Sequence, residues 1–564
     1  MQRYGRHFNQ NKTPQTEPLP SAETPQVQMR SGGFGWEIDD WGRLDRFLIL
    51  GTEGGSYYVN ERKLTKGAGE AAKRCLKADG IRVVNRVVEI SQGGRAFRND
   101  AALFVLAMAS RLGNEQTKAA AHKALPAVAR IGTHLFHFCQ FASDLGKLGG
   151  NGFKRALARW YNERDAQKLA YQMAKYQQRD GWSHRDVLRL AHARPASGDH
   201  DSLFKWAVKG AQNGEWPVSE VPEKLRLIWA FEKAKQLDVS HPEARGRLIR
   251  LITDYRLPHE CVPNEAKNHA EVWEALLQGM PPHAMVRNLN KLTAVGLLDS
   301  NMADATQKVV SVLTDAERLK KARMHPMSLL VALRTYKQGQ GFKGKLTWSP
   351  VRAVVDALDE SFYLAFGAVE PTNKRIMLAL DVSGSMSSAI ANTCLTCREA
   401  SAAMALVTAN VEKSYEMVAF SSGRDGRGGW ATPGNTRSYF GHDGITPVAI
   451  SPRMRLDDAV REVSGWPFGG TDCALPMRYA LERKLKVDAF VIYTDSESWA
   501  GPIHVSQALS DYRLKMGIPA KLVVVAMTAD KYSVADPNDA YQLDVVGFDT
   551  ATPNVVSSFV RDED

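Results

Sequence analysis

From about Lys66 to Phe366 the apolar residues recur at every third or fourth position, and Gly, Pro or Asn interrupts them at intervals of about ten to twenty. That period is what an α-helix needs to turn one face to a core. It predicts helices at 101–112, 116–131, 154–161, 225–236, 270–277 and 315–323. Strand-like alternation is almost absent. A run of about three hundred residues of paired, medium-length helices favours an α-solenoid over one bundle, with any repeats degenerate in sequence. Upstream, residues 1–30 are rich in Gln, Pro, Thr and Ser and poor in apolar side chains, the composition of a disordered tail. Order is expected from Gly33, with a helix at 41–50, a break at Gly51 and a short β-type piece at 57–59.

The pattern changes near Val369. Beyond it, apolar runs alternate with helical patterns, which makes a doubly wound, Rossmann-like α/β domain with a largely parallel sheet. Strands are expected at 376–380, 415–420, 489–493, 521–527 and 543–548. Helices are expected at 393–407, 456–463, 473–484, 504–516 and 554–560, and a long Gly-rich excursion at 421–450. The domains are therefore a tail at 1–30, a helical-repeat unit at 31–368 and an α/β unit at 369–564.

Two stretches carry candidate chemistry. In the first, Lys168, Gln172, Lys175 and Arg179 fall at steps of four, three and four, one face of a helix that Gly181 would end. Ser183 and Asp186 form a capping box for the next helix, on which Arg185, Arg189 and His192 share a face. Two successive basic stripes with Trp182 at the corner suit a phosphate backbone. A solvated amphipathic face would look the same on charge alone.

In the second, the run Ile376 to Leu380 suits a strand buried on both faces and leads into Asp381, Ser383 and Ser385. Thr471 and Asp495 add a hydroxyl and a second carboxylate. Ligands of open α/β sheets gather at the carboxyl ends of strands, where Asp381 and Asp495 would meet. The set is one of hard oxygen donors, suited to a divalent cation: Mg²⁺ first, with Mn²⁺ or Ca²⁺ as alternatives. Asp472 reads as a helix-start residue. No histidine stands beside Ser383 or Ser385 in sequence, and no Gly-rich loop ending in Lys-Ser/Thr is present. The reading is ligand capture rather than an enzyme. His134 and His137, one turn apart, read as partly buried helix histidines, and Cys394 and Cys397 as small residues within a helix.

Charge sharpens this division. The chain of 564 residues has a net charge of +11, yet from Pro371 onward 19 Lys and Arg face 23 Asp and Glu, leaving 54 against 39 before that point. The excess positive charge belongs to the helical part, which points to an anionic partner there, most simply nucleic acid. Six cysteines give no disulfide framework, and no membrane-length apolar run or signal peptide is visible, so a cytoplasmic location is expected.

Taken together, Asp-x-Ser-x-Ser at 381–385, Gly-Gly-Thr-Asp at 469–472 and Tyr-Thr-Asp-Ser-Glu at 493–497 resemble the metal-ion-dependent adhesion site of von Willebrand factor A domains. Gly51-Thr-Glu-Gly-Gly-Ser-Tyr-Tyr58, Arg159-Trp-Tyr-Asn-Glu163, the stretch from Arg179 to His192 and Lys320-Lys-Ala-Arg-Met-His-Pro326 resemble the TROVE module of the Ro autoantigen family, bacterial members included. The resemblance implies a HEAT-like helical-repeat ring joined to a von Willebrand-type domain. It implies binding of Y-like noncoding RNA on a basic outer surface, through residues matching Lys175, Arg179 and His192, and of single-stranded ends of misfolded RNA in the ring hole. It further implies a role in RNA quality control, maturation or decay, as a monomer within a ribonucleoprotein. The exoribonuclease polynucleotide phosphorylase is an implied partner, as is a protein carboxylate at the metal site. A metal-dependent adhesion scaffold without RNA is the alternative.

Overall fold

Helix follows helix from Asp40 to Leu364 because each carries one apolar stripe that only a neighbour can cover. The helix His184–Ala191 shows the rule in small. His184, Val187, Leu188 and Ala191, at steps of three, one and three, are buried, while Arg185, Asp186 and Arg189 face out. Burying Val187 and Leu188 stabilises this short element by about 1.5–3 kcal/mol each. Its start is fixed by a capping box in which Ser183 and Asp186 bond each other's backbone N–H. In the computed structural model, residues 7, 11–51, 69–96, 98–210, 221–299, 303–341, 345–367, 369–390, 394–422, 444–452, 454–464, 470–496, 498–528, 530–549 and 551–561 are described. The expected β-piece at 57–59, the motif residues 52–58, Gly469 and most of the excursion at 421–450 lie outside them.

In the first part of the series a helix packs on neighbours one and two places along the chain. Glu70–Gly93 lies on both Asp100–Leu112 and Glu115–Val128, and Asp100–Leu112 on both Glu115–Val128 and Gly132–Asp144. That pattern is a two-layered solenoid. The series returns on itself: a side chain at Gly94 would come 3.9 Å from Cβ of Arg323, and the His325 imidazole stands by the backbone of Arg95. The helical unit is thus a ring whose ends meet.

The C-terminal unit is a six-stranded sheet. Its strands are β5 (Ile376–Asp381), β6 (Tyr415–Phe420), β7 (Ile445–Pro447), β8 (Ala489–Thr494), β9 (Lys521–Ala526) and β11 (Gln542–Val546), in the order β11-β9-β8-β5-β6-β7. All neighbours are parallel except β7 on β6. Alternate residues of β5 enter different cores: Ile376, Leu378 and Leu380 join the core shared with the ring, and Met377 and Ala379 join a second core on the other face. That two-sided burial explains the unbroken apolar run. From β5 the chain moves outward to β6 and β7, then crosses back to β8 on the other side. The boundary between β5 and β8 is therefore the switch point at which ligands of such sheets sit. Phe362 of the ring meets Phe548 beside the sheet, ring centroids 6.2 Å apart. Ion pairs Arg46–Asp544, Arg95–Asp549, Arg334–Glu399 and Arg455–Asp356 join the two units.

Three expectations are corrected. First, the described part of residues 1–30 is an ordered strap on the α/β unit. Strands β1 (Val27–Gln28), β2 (Phe34–Glu37) and β10 (Tyr532–Ser533) form a small antiparallel sheet, and Leu19 and Met29 are buried. Composition misled because few apolar residues are needed when polar ones find buried partners. His7 bonds Ser21 and Asp536, and the Thr13 N–H donates to Gln507. Second, the helix predicted through Arg179 stops at Lys175. Gln178–Arg179 and Trp182–Ser183 are β3 and β4 of a hairpin closed by Asp180-Gly181, both with positive φ (53° and 80°). Asp-Gly is a favoured two-residue hairpin turn, and it outweighs the helical period. Third, Cys394 lies before its helix, which begins at Cys397 under a Thr396–Glu399 capping box.

Candidate functional site

The basic residues singled out in sequence occupy three successive elements. Lys168 is exposed on the helix Ala166–Lys175, Arg179 is on the hairpin, and Arg185 and Arg189 are one turn apart on the outer face of His184–Ala191. His192 ends that helix, exposed, at φ 47°. They divide by environment. Arg179 keeps 53 % of its side chain exposed and lies 3.6 Å from Asp180. Lys175 keeps only 9 %, with its ammonium 3.5 Å from Glu260 and over the rings of Tyr171 and Tyr176 at 5.5 and 5.4 Å. Gln172, from the same predicted stripe, points inward and accepts from the Gly132 N–H at 3.1 Å. Lys168, Arg179, Arg185 and Arg189 are thus exposed on three successive elements, whereas Lys175 is held against Glu260 and two tyrosines. Glu260 had no signal in the sequence, since it comes from a distant 3₁₀ turn.

Neighbouring imidazoles are structural. His184 is enclosed, accepts or donates at Tyr161 Oη (2.9 Å), and burial pushes it down to about 3. His134 is pushed to about 3 by burial, with Arg130 adding to the effect. His137, also buried, reaches the half-buried Asp180, Nδ1 to Oδ2 at 2.5 Å.

The second constellation lies at the switch point. Asp381 ends β5, and Asp495 follows β8 directly. Asp381 Oδ1 accepts from the Ser383 N–H at 2.9 Å, and Oδ2 accepts from the Thr494 hydroxyl at 2.6 Å. The hydroxyls of Ser383 and Ser385 are 3.2 Å apart, the first buried and the second exposed. Arg398 donates to the carbonyls of Val382 (2.6 Å) and Ser383 (3.1 Å), which holds the turn beneath them. Burial raises the Asp381 carboxyl above its usual range, opposed by the Thr494 and Ser383 hydrogen bonds and by Arg398. Thr471 is buried on a loop whose carbonyl accepts from the N–H groups of Trp499 and Ala500, both at 3.0 Å. Asp495 is buried, and its carbonyl accepts from the Thr528 hydroxyl at 3.1 Å. Direct hydrogen bonds join Asp381, Ser383 and Ser385. Asp495 stands at the end of the next strand, and Thr471 is tied to the segment after Asp495.

The fit to a hard cation can be judged from the donors. All are oxygens, a buried carboxylate gains from a cation, and Ser385 opens the group to solvent. Among the described residues no cluster of three His, Cys, Asp or Glu side chains could hold a metal, so a cation here would rest on hydroxyls and water beside the two carboxylates. The residues fit Mg²⁺ better than a softer ion.

Two residues at this edge were not singled out as site residues in the sequence. Thr494 stood inside the Tyr-Thr-Asp motif and was legible there. Gln15 was not. It is 1 % exposed, donates to Asp472 (2.7 Å) and to the Ile503 carbonyl (2.9 Å), and accepts from the Ser498 hydroxyl (2.6 Å). Asp472 also accepts the Ala474 N–H at 3.0 Å, consistent with a helix-start role, and burial pushes its carboxyl up to about 6.

Comparison with known proteins decides the family. The TROVE domain model matches residues 27–249 and 256–374, and the Ro60 vWA domain model matches 375–560. The chain belongs to the Ro family. This Ro-family chain is 39 % identical to the RNA-binding protein RO60 of Deinococcus radiodurans over 567 residues, 99 % of either chain. It is 35 % identical to the RNA-binding protein RO60 of Caenorhabditis elegans, over 95 % of this chain and 90 % of the other. The crystal structure of the Deinococcus radiodurans Ro (RSR) protein superposes with a TM-score of 0.69, covering 93 % of this chain and 100 % of that one. The helical-repeat ring and the von Willebrand-type domain expected from sequence are therefore both present in the Ro-family chain.

Proposed function

We propose that this chain is the RNA-binding component of a ribonucleoprotein and not an enzyme. The observation that carries the reading is the set of exposed basic side chains Lys168, Arg179, Arg185 and Arg189, with His192 beside them, on consecutive elements of the ring in the N-terminal two thirds of the chain, which holds all the excess positive charge. Two relatives named as RNA-binding proteins, matched nearly end to end, support it. Phosphates of a structured, Y-like noncoding RNA are the ligand this set suits, since separate cations position a backbone without reading bases. Lys175 contributes less directly. Its pairing with Glu260 and its place over two tyrosines make it a support for the set. Single-stranded ends of misfolded RNA in the ring hole, and a part in RNA quality control, maturation or decay with polynucleotide phosphorylase, extend the reading, as does a cytoplasmic site of action.

The second site acts as a docking point. Asp381, Ser383, Ser385, Thr471 and Asp495 would hold Mg²⁺, and the cation would supply an open position for a carboxylate of a protein partner. The chain's own part is to bury and orient the carboxylate through Thr494, Ser383 and Arg398. Filter binding of a Y-like stem-loop RNA across a salt series tests the main reading. Affinity should fall steeply with salt, and Arg179→Ala should reduce the slope of log K against log salt by about one. Lys175→Ala should weaken binding with a smaller change of slope. Binding that is absent or insensitive to salt would leave the adhesion scaffold without RNA as the better account.

A further inference from the structure

The hairpin that presents Arg179 is too small to hold itself. Its strands are two residues each, and its turn places a non-glycine residue, Asp180, at φ 53°. What fixes it comes from the helix Gly132–Asp144. Trp182 Nε1 donates to Gln140 Oε1 at 3.2 Å, and one turn earlier His137 Nδ1 meets Asp180 Oδ2 at 2.5 Å. A carboxylate only accepts, so Nδ1 is the protonated nitrogen. The imidazole is itself held, stacked on Phe141 at 6.1 Å with an interplanar angle of 17° and with Nε2 3.9 Å from Asp100 Oδ1. The other oxygen of Asp180 lies 3.6 Å from Arg179 Nε. One carboxylate therefore links the buried imidazole to the exposed guanidinium.

We propose that His137 is a positioning residue for RNA binding: through Asp180 it sets the turn and the direction in which Arg179 meets a phosphate. The inference rests on the reading of the hairpin as an RNA contact. His137 touches no RNA in this scheme. Its effect passes entirely through Asp180 and Arg179, which makes two consequences specific. The effect must need a donor at the Nδ1 position, and it must vanish once Arg179 is gone.

The test is filter binding of a structured stem-loop RNA across a salt series by the full chain carrying His137→Ala, His137→Asn, His137→Gln, Arg179→Ala or His137→Ala with Arg179→Ala. Far-UV circular dichroism and the thermal midpoint check folding of each. His137→Ala should weaken binding about tenfold, the size of a lost charge-assisted contact, and lower the salt slope as Arg179→Ala does. His137→Asn should restore both, because the Asn amide nitrogen takes the place of Nδ1, whereas His137→Gln should not. Added to Arg179→Ala, His137→Ala should change nothing further. Additive losses, or Asn and Gln variants that behave alike, overturn the role of His137 while leaving the RNA reading in place. An Arg179→Ala protein with unchanged affinity and slope overturns the RNA reading of the hairpin, and this inference with it.

Discussion

Replacing Gln15 by Ala tests whether one amide anchors the strap. Gln15 makes three buried side-chain bonds, to Asp472, to the Ile503 carbonyl and from Ser498. A bond to a carboxylate contributes about 2 kcal/mol and each neutral one about 1 kcal/mol. Asp472 retains Ala474 N–H and Arg478, which offsets part of the loss. The expected cost is about 3 kcal/mol, a factor of roughly a hundred in a local opening equilibrium. Global unfolding is a poor readout, since a chain with two units need not unfold in one step. Amide hydrogen exchange is direct. The Gln15 N–H bonds Gly501 O at 3.0 Å, and the Phe34 N–H bonds Gln15 O at 2.8 Å. Protection at both should fall about a hundredfold in Gln15→Ala, with the amides of helix Asp100–Leu112 unchanged. Equal protection in the variant and the parent would refute the claim that this side chain holds the strap down.

Other outcomes follow from the same geometry. Asp381→Ala should abolish Mg²⁺-dependent capture of a carboxylate-bearing protein partner and leave RNA affinity within about twofold, read by pull-down and filter binding; a parallel loss of RNA affinity would contradict the separation of the two sites. Arg46 is buried and bonds Asp544 and the Asp530 carbonyl, so Arg46→Ala should cost about 3 kcal/mol and lower the thermal midpoint. His184 is held near 3 by burial, against about 6.5 when unfolded. Its folded value is the lower one, so the unfolded chain binds the extra proton, and stability is full above pH 6.5 and falls as pH drops toward 3. By pH 5 the loss is about 2 kcal/mol, and His184→Phe should flatten that part of the midpoint-against-pH curve.

The parallel sheet was legible almost strand by strand because its central strands β5, β8 and β9 are buried on both faces and read as apolar runs between turn residues. The predicted 415–420 matches β6, and 489–493 falls one residue short of β8. The carboxylates at the strand ends were legible for the same reason. What failed to show were structures built by distant polar partners. Gln15 looks like any tail glutamine until Asp472 and Ser498 fold against it. Lys175 looks like a surface cation until Glu260 arrives from another turn of the ring. The hairpin at 178–183 was a different kind of miss. Its Asp-Gly signal was present, but helical spacing on both sides masked a reversal only two residues wide.

The strap also has a consequence in time. Residues 11–37 find their places against Asp472, Ser498, Ile503 and β10, all made more than four hundred residues later. At roughly 5–20 residues per second, a newly made strap waits on the order of half a minute to a minute and a half before its docking surface exists. During that interval the ring helices emerge and can pack locally, while the first stretch of ordered chain stays unpaired outside the ribosome. The polar composition that made it resemble a disordered tail suits that wait, because a segment with few apolar side chains can remain unfolded in water without seeking the wrong partner.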